Sequence, residues 1–141
     1  MLYDKKNRYV GAKIRTGSFT STDIELQSVE MDGSLTQTPE FPYNWMYDGS
    51  RPQMPGFEME ITCKSLFLIF KDSGEMDVGK ADVFVNDVYC MTADPHKNNW
   101  LHCNAVLLFW ETESRSHKVR ITVTGEDRNK KFTILGFGYT I

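Results

Sequence analysis

"GKADVFVNDVYCMT", residues 79–92, decides the fold. Ala81, Val83 and Val85 share one face of a strand, because side chains alternate with a period of two. Asn86 and Asp87 are residue types that tolerate positive φ in a two-residue hairpin turn. The segment therefore reads as two antiparallel strands. On the N-terminal side, "GFEMEITCK" (56–64) alternates Phe57, Met59, Ile61 and Cys63 against Glu58, Glu60 and Thr62. "SLFLIFK" (65–71) follows without alternation and fits a strand covered on both faces, or a core strand between sheets. "DSGEMDVG" (72–79) reads as a loop. On the C-terminal side, "NAVLLFW" (104–110) is a further apolar strand. "HKVRITVTG" (117–125) turns Val119, Ile121 and Val123 inward, "EDRNKK" (126–131) is a polar turn, and "FTILGFGYTI" (132–141) is the last strand. Gly136 and Gly138 in that strand suggest a bulge or a close backbone approach.

Outside these segments the signals are thinner. Strands are expected near "YVGAKI" (9–14) and "DIELQSVEM" (23–31), and "ETESRSH" (111–117) allows a helical turn or two. "TPEFPYNWMYDGSRPQMPG" (38–56) carries four of the five prolines and reads as a long ordered loop. Short strands at regular spacing predict an all-β protein, a two-sheet antiparallel β-sandwich, as one domain over residues 1–141.

Composition narrows the function. With 141 residues, 40% of them apolar, the chain can build one core. A net charge of −3 offers no basic stripe for nucleic acid. No run approaches the roughly 18 apolar residues of a membrane span, and "MLYDKKNRYV" has no apolar signal core. Three cysteines, Cys63, Cys90 and Cys103, close at most one disulfide.

Catalytic signatures are thin. There is no G-x-S-x-G elbow. Asp-Gly-Ser at 32–34 and at 48–50 reads as turn chemistry. Every acidic residue falls in a polar loop or on the solvent side of a strand, where nothing raises its pKa for acid catalysis. His96, His102 and Cys103 are too few for zinc, and neighbours in a strand point to opposite faces. His117 lies at a turn and is expected in solvent, Cys103 reads as a small core residue, and Trp110 is expected to pack. Carboxylates and loop carbonyls could hold a structural calcium ion, although no EF-hand spacing supports one; no cofactor is expected.

The segments "GKADVFVNDVYCMT", "NNW" (98–100), "AVLLFWETESRSHKVRI" (105–121) and "KFTILGFGYT" (131–140), in that order, carry a resemblance. With "GSF" at 17–19 and "FPYNWMYDGS" at 41–50, they resemble the non-catalytic jelly-roll domain attached to SGNH/GDSL-type esterases of anaerobic, fibre-degrading bacteria. The esterase's own Gly-Asp-Ser and Asp-x-x-His blocks are missing. The resemblance thus implies an accessory domain of a larger modular protein, secreted or at the cell surface, without the enzyme. Such domains bind polysaccharide, or pack beside a covalently linked catalytic domain.

A sugar ring has an apolar C–H face and a belt of hydroxyls, so its site needs an aromatic plate beside amides or carboxylates. Two loops have that composition. The first offers Tyr43, Asn44, Trp45, Tyr47 and Asp48; the second offers Asp94, His96, Asn98, Asn99 and Trp100. Trp45 and Trp100 are the expected stacking residues, with Tyr43, Asn44, Tyr47, Asp94, His96, Asn98 and Asn99 around them. The expected partner is a plant cell-wall polysaccharide, with neither nucleic acid nor membrane. The competing reading buries these aromatics in corner packing or against a linked catalytic domain.

Overall fold

The computed structural model describes residues 1–24, 28–31, 34–39, 41–98 and 103–141. Its strands are β1 (Leu2–Tyr3), β2 (Ala12–Arg15), β3 (Ser28–Met31), β4 (Ser34–Pro39) and β5 (Trp45–Tyr47). They continue with β6 (Phe57–Lys71), β7 (Ala81–Val85), β8 (Val88–Ala93), β9 (Cys103–Val123) and β10 (Phe132–Thr140). Among the described residues the only helical element is a 3-10 turn at Gly125–Asp127. Every named strand pairing is antiparallel. The hydrogen-bonded path runs β1-β10-β6-β9-β7-β8, with β2 added to β6 and β5 to β10, while β3 and β4 form a separate ribbon.

Two long strands turn this path into two layers. Phe57 and Leu68 would stand ~36 Å apart if β6 ran straight, at about 3.3 Å per residue. Yet Phe137, the register partner of Leu68, has its ring 5.7 Å from that of Phe57. β6 therefore doubles over, and its halves face each other across the core. The first half pairs with β2 and with β9 from Arg115 to Ile121; the second pairs with β10 and with β9 from Cys103 to Trp110. The expected antiparallel sandwich is the fold, with β6 and β9 serving both layers.

The bend explains a misread segment. Burial alternates through Phe57, Met59, Ile61 and Cys63, then shifts phase to Leu66, Leu68 and Phe70. The register slips between Cys63 and Ser65 and between Leu66 and Phe67. A one-residue slip exchanges the two faces of a strand, so "SLFLIFK" alternates after all, in the opposite phase. It is not covered on both faces, because Phe67 is exposed. Opposite the slip, β9 runs from Trp110 to Arg115 while β6 runs only from Ser65 to Cys63. "ETES" is the outer side of this fold-over and remains extended; it is not helical.

The core is aromatic. Trp45 lies 5.2 Å from Phe57 and 6.3 Å from Phe137, Tyr3 stacks on Trp45 at 6.2 Å, and Phe70 on Phe132 at 5.6 Å. Such pairs add about 0.5–1.5 kcal/mol beyond the area they bury. The hairpin is as read, with Asn86 at φ 51° and Asp87 at φ 65°. The expected irregularity in β10 is a register shift between Ile134 and Gly136. A Cβ on Gly136 would sit 3.0 Å from the Tyr3 carbonyl oxygen, which is the close approach. The turn at 48–50 is also as read: Gly49 has φ 82°, and the Asp48 carboxylate accepts from the Ser50 N–H at 2.9 Å. The Asp-Gly of the 32–34 turn lies outside the described residues. Cys63 and Cys90 are free thiols.

Candidate functional site

The first aromatic loop does not form a platform. Trp45 and Tyr47 are buried at 2% and 3% exposure, because "WMY" is a strand paired with β10 rather than loop. Its alternation sends both rings into the core. The Tyr47 hydroxyl donates to the Arg128 carbonyl. Asn44 is fully buried. Its Nδ2 donates to the carbonyls of Asp23 (3.1 Å) and Phe41 (3.0 Å), and its Oδ1 accepts from the Asp23 N–H (2.8 Å). An amide fully buried with these three bonds made is a clip between chain segments, out of reach of a sugar hydroxyl. The expectation for Trp45, Tyr47 and Asn44 is thereby corrected. Tyr43 alone of the expected rings here reaches the surface, with Lys6 Nζ 5.2 Å from its centroid.

The second loop is stitched to the loop after β6. The Ser73 N–H donates to the Pro95 carbonyl at 2.9 Å. Asp94 accepts from the His96 N–H at 2.9 Å, and His96 Nε2 donates to the Glu75 carbonyl at 2.7 Å. Asn98 Nδ2 donates to Asn104 Oδ1 (2.6 Å), and Asn104 Nδ2 donates to Asp72 Oδ1 (2.9 Å). Asp72 is buried, and among the described residues its Oδ2 has no partner. An orphaned buried acceptor costs about 1–3 kcal/mol, so this oxygen marks a place where a donor is wanted. Asn99, Trp100 and His102 lie outside the described residues. Asp94 and Asn98 are half-buried and His96 is exposed.

Several titratable groups differ from expectation. Asp4, Asp23, Asp72 and Asp127 are buried, although all acids were expected in solvent. Donors meet them there: Asp23 Oδ2 accepts from Lys71 Nζ on β6 (3.0 Å) and from Thr133 Oγ1 on β10 (2.9 Å). His117 is buried as well, because the β7–β8 turn closes on it. Asn86 Oδ1 accepts from the Lys118 N–H at 2.9 Å, which leaves Asn86 Nδ2 to donate to His117 Nδ1 at 3.0 Å. His117 Nε2 lies 2.7 Å from Glu111 Oε1, without the alignment of a hydrogen bond. Burial, with Glu111 adding to it, pushes the Cys63 thiol up to about 11. That is the opposite of an activated nucleophile. Among the described residues no three His, Cys, Asp or Glu side chains converge as a metal site does. Cys103 is only half-buried, and Trp110 stands in solvent at 77% exposure rather than in the core.

The outward faces of the two layers carry features that single-strand patterns conceal. Across the first layer, strand register aligns Arg15, Glu58, Arg120, Phe84 and Tyr89 on β2, β6, β9, β7 and β8. Arg15 pairs with Glu58 at 3.4 Å, and the Arg120 guanidinium lies 4.3 Å above the Phe84 ring. Beside this row runs a groove of about 390 Å³, lined by Arg15, Glu58, Phe84, Lys118 and Arg120 among others. Across the second layer, register aligns Leu2, Gly138, Phe67 and Leu107 on β1, β10, β6 and β9. Leu2, Phe67 and Leu107 are 36%, 39% and 50% exposed. Sequence reasoning missed both rows because each residue sits on a different strand.

No protein-family model and no curated protein sequence matches the chain. Solved structures do. A two-domain esterase (CEX) active on acetylated mannans, co-crystallized with mannopentaose, is similar with a TM-score of 0.61 at 12% identity, over 99% of this chain and 36% of that one. An acetyl xylan esterase (Est2A) from the rumen bacterium Butyrivibrio proteoclasticus gives 0.51 at 13% identity, over 99% of this chain and 32% of that one. The chain thus spans about a third of the length of these esterases. A family 35 carbohydrate binding module from an environmental isolate gives 0.53 at 15% identity, over 100% of this chain and 93% of that one. These likenesses establish the fold, the antiparallel β-sandwich that the family 35 module shares with about a third of each esterase, as the resemblance implied.

Proposed function

We infer that this chain is a non-catalytic carbohydrate-binding module for plant cell-wall polysaccharide, part of a secreted or cell-surface modular protein. The observation that carries the reading is the Asn98–Asn104–Asp72 chain at the second loop, with a buried carboxylate oxygen that has no partner among the described residues. Asn98 and Asp94 present an amide and a carboxylate to sugar hydroxyls, His96 flanks them, and Trp100, two residues on in the sequence, is assigned as the plate. Binding at this loop needs no cofactor. It is weak, because each hydrogen bond to a hydroxyl replaces one to water. Calorimetry against soluble glucomannan and xylan tests it. Asn98→Ala and Trp100→Ala should each weaken binding about tenfold, the equivalent of 1.4 kcal/mol. Unchanged affinity in both variants rejects the loop as the site.

A second reading is favoured by the apolar row Leu2–Phe67–Leu107. A sheet face with aligned exposed hydrophobes is a partner surface. The two esterases it resembles share this fold over about a third of their length, so the fitting partner is a linked esterase domain. On that reading the chain packs against the catalytic domain and holds no glycan itself. It predicts no retention of the isolated domain on any polysaccharide.

A further inference from the structure

Tyr89 is an unusual surface residue. It is 56% exposed on the outermost strand of the first layer, yet it is held from two sides. Its hydroxyl lies 2.7 Å from Thr92 Oγ1, whose own hydrogen goes to Asp82 Oδ1 at 2.7 Å, so Tyr89 is the donor. Its ring meets Phe84 edge-on at 6.0 Å, and Phe84 is in turn covered by Arg120. A free tyrosine on an edge strand gains little from such restraint. A ring meant to receive a flat ligand gains pre-organisation, since no rotamer freedom is then lost on binding.

Backbone geometry puts the ring there. Met91 pairs with Val83, but Tyr89, not Cys90, pairs with Phe84. Cys90 is thus the extra residue of a bulge. Without it, Tyr89 and Thr92, three apart, would point to opposite faces of the strand. The bulge brings Tyr89 onto the face of Asp82, Phe84 and Arg120, and re-aiming one side chain is what such bulges do.

We propose that the outward face of β2, β6, β9, β7 and β8 is a second glycan site, which takes an internal stretch of a neutral polysaccharide lying across the strands. The proposal rests on the carbohydrate-binding reading above and adds a site and a ligand class to it. Tyr89 is the stacking plate, and Arg120 and Glu58 are the hydroxyl partners. Their row spans ~19 Å, four interstrand steps of about 4.8 Å, which suits several consecutive sugar rings.

Charge selects the class. The groove brings together four cations, Lys13, Arg15, Lys118 and Arg120, and three carboxylates, Glu58, Glu60 and Asp87. Along the register the signs alternate, with Glu60 between Lys13 and Lys118, and Glu58 between Arg15 and Arg120. A sugar hydroxyl both donates and accepts, so it bonds to either sign. Four cations against three carboxylates, each beside a charge of the other sign, leave the groove nearly neutral, so it lacks the run of free cations that an acidic chain would select.

The test is an amide NMR titration of the ¹⁵N-labelled protein with hexasaccharides of β-1,4-linked glucose, xylose and mannose, and with the galacturonic acid hexamer. Shifts at residues 58–60, 84–89 and 118–120 with a neutral hexamer, unaffected by salt from 0.05 to 0.5 M, are expected. Tyr89→Ala should lower that affinity about tenfold. Tyr89→Phe should keep it within about twofold, because only the bond to Thr92 goes. Shifts confined to residues 94–98 and 104 would overturn the sheet site and leave the loop reading standing. Preference for the galacturonic acid hexamer, abolished by salt, would overturn the neutral class. No shifts with any hexamer would overturn both readings together.

Discussion

The two outward faces of this sandwich are built from the same two strands and share no chemistry. On the first layer, β6 shows Glu58 and Glu60 and β9 shows Lys118 and Arg120; on the second, β6 shows Phe67 and β9 shows Leu107. The phase slip at residues 63–67 separates the two halves of β6. A charged face stays in water without cost and still offers hydrogen bonds. An apolar face in water is unfavourable by roughly 25 cal/mol for each Å² it could bury, so it favours a partner. One strand pair thereby carries a face suited to sugars and a face suited to protein, on opposite sides of one core.

The comparison depends on the core holding both layers in place, and the largest effect should come from breaking it there. Trp45→Ala removes the ring that touches Tyr3, Phe57 and Phe137. It should cost about 3–5 kcal/mol in urea unfolding, and it would unfold a marginal domain. A loss below 1 kcal/mol would mean that the layers are not joined through this ring. Next in size is Leu107→Lys, at a half-exposed position. It should change stability by no more than about 0.5 kcal/mol. If the apolar row is the docking face, it should nevertheless release a separately expressed esterase domain from the complex in sedimentation. Continued co-sedimentation would leave that face without a role. Smaller still are couplings within each row. A double-mutant cycle on Arg120 and Phe84 should return about 0.5–1 kcal/mol, as a cation over a ring does at a partly exposed site. The cycle on Phe67 and Leu107 should return about 0.2–1 kcal/mol, as for cross-strand pairs. A coupling near zero for Arg120 and Phe84 would show a guanidinium free to leave the ring.

Strand identity was legible because alternation is local. The hairpin turn, the core face of "GFEMEITCK" and the irregularity in β10 can all be read from neighbours in sequence. The doubling of β6 cannot, since it shows only as contacts between Phe57 and Phe137. Burial of Trp45 was hidden for a related reason. Three residues of strand within a proline-rich segment carry too little periodicity to be told from loop, so an asparagine beside a tryptophan looked like a sugar site. Asn44 is instead a clip whose main partner, Asp23, lies 21 residues away and is met only once the chain is folded. The Tyr89 row was obscured twice, by strand register and by the single extra residue at Cys90. The apolar row shows how little composition says about exposure. Phe67 and Leu107 look like core residues in sequence, and Trp110 looked the same at the end of its apolar run.

One further effect belongs to neither face but to the edge of β5. Hydrogen bonds from the Ser21 and Ser50 hydroxyls, and from the Ser50 N–H, hold the Asp48 carboxyl down to about 2. Ser21 is also bridged to Met46, so the carboxylate fastens β5 to the segment before β3. In the unfolded chain this acid returns to about 3.9. A lowered folded-state pKa means that the stabilisation is fully present above about pH 4 and is lost as pH falls through about 2. Asp48→Asn should therefore lower the urea midpoint relative to wild type by the same amount at pH 7 and pH 5. The two midpoints should converge between pH 4 and pH 2. Glycan binding measured above pH 5 should be equal in the two proteins, because neither face uses this residue. If the gap between the midpoints is as wide at pH 2 as at pH 5, the ionised carboxylate is not what Ser21 and Ser50 hold. If binding changes as well, β5 and the charged face are coupled through the core, and the two faces are less independent than their separate chemistries imply.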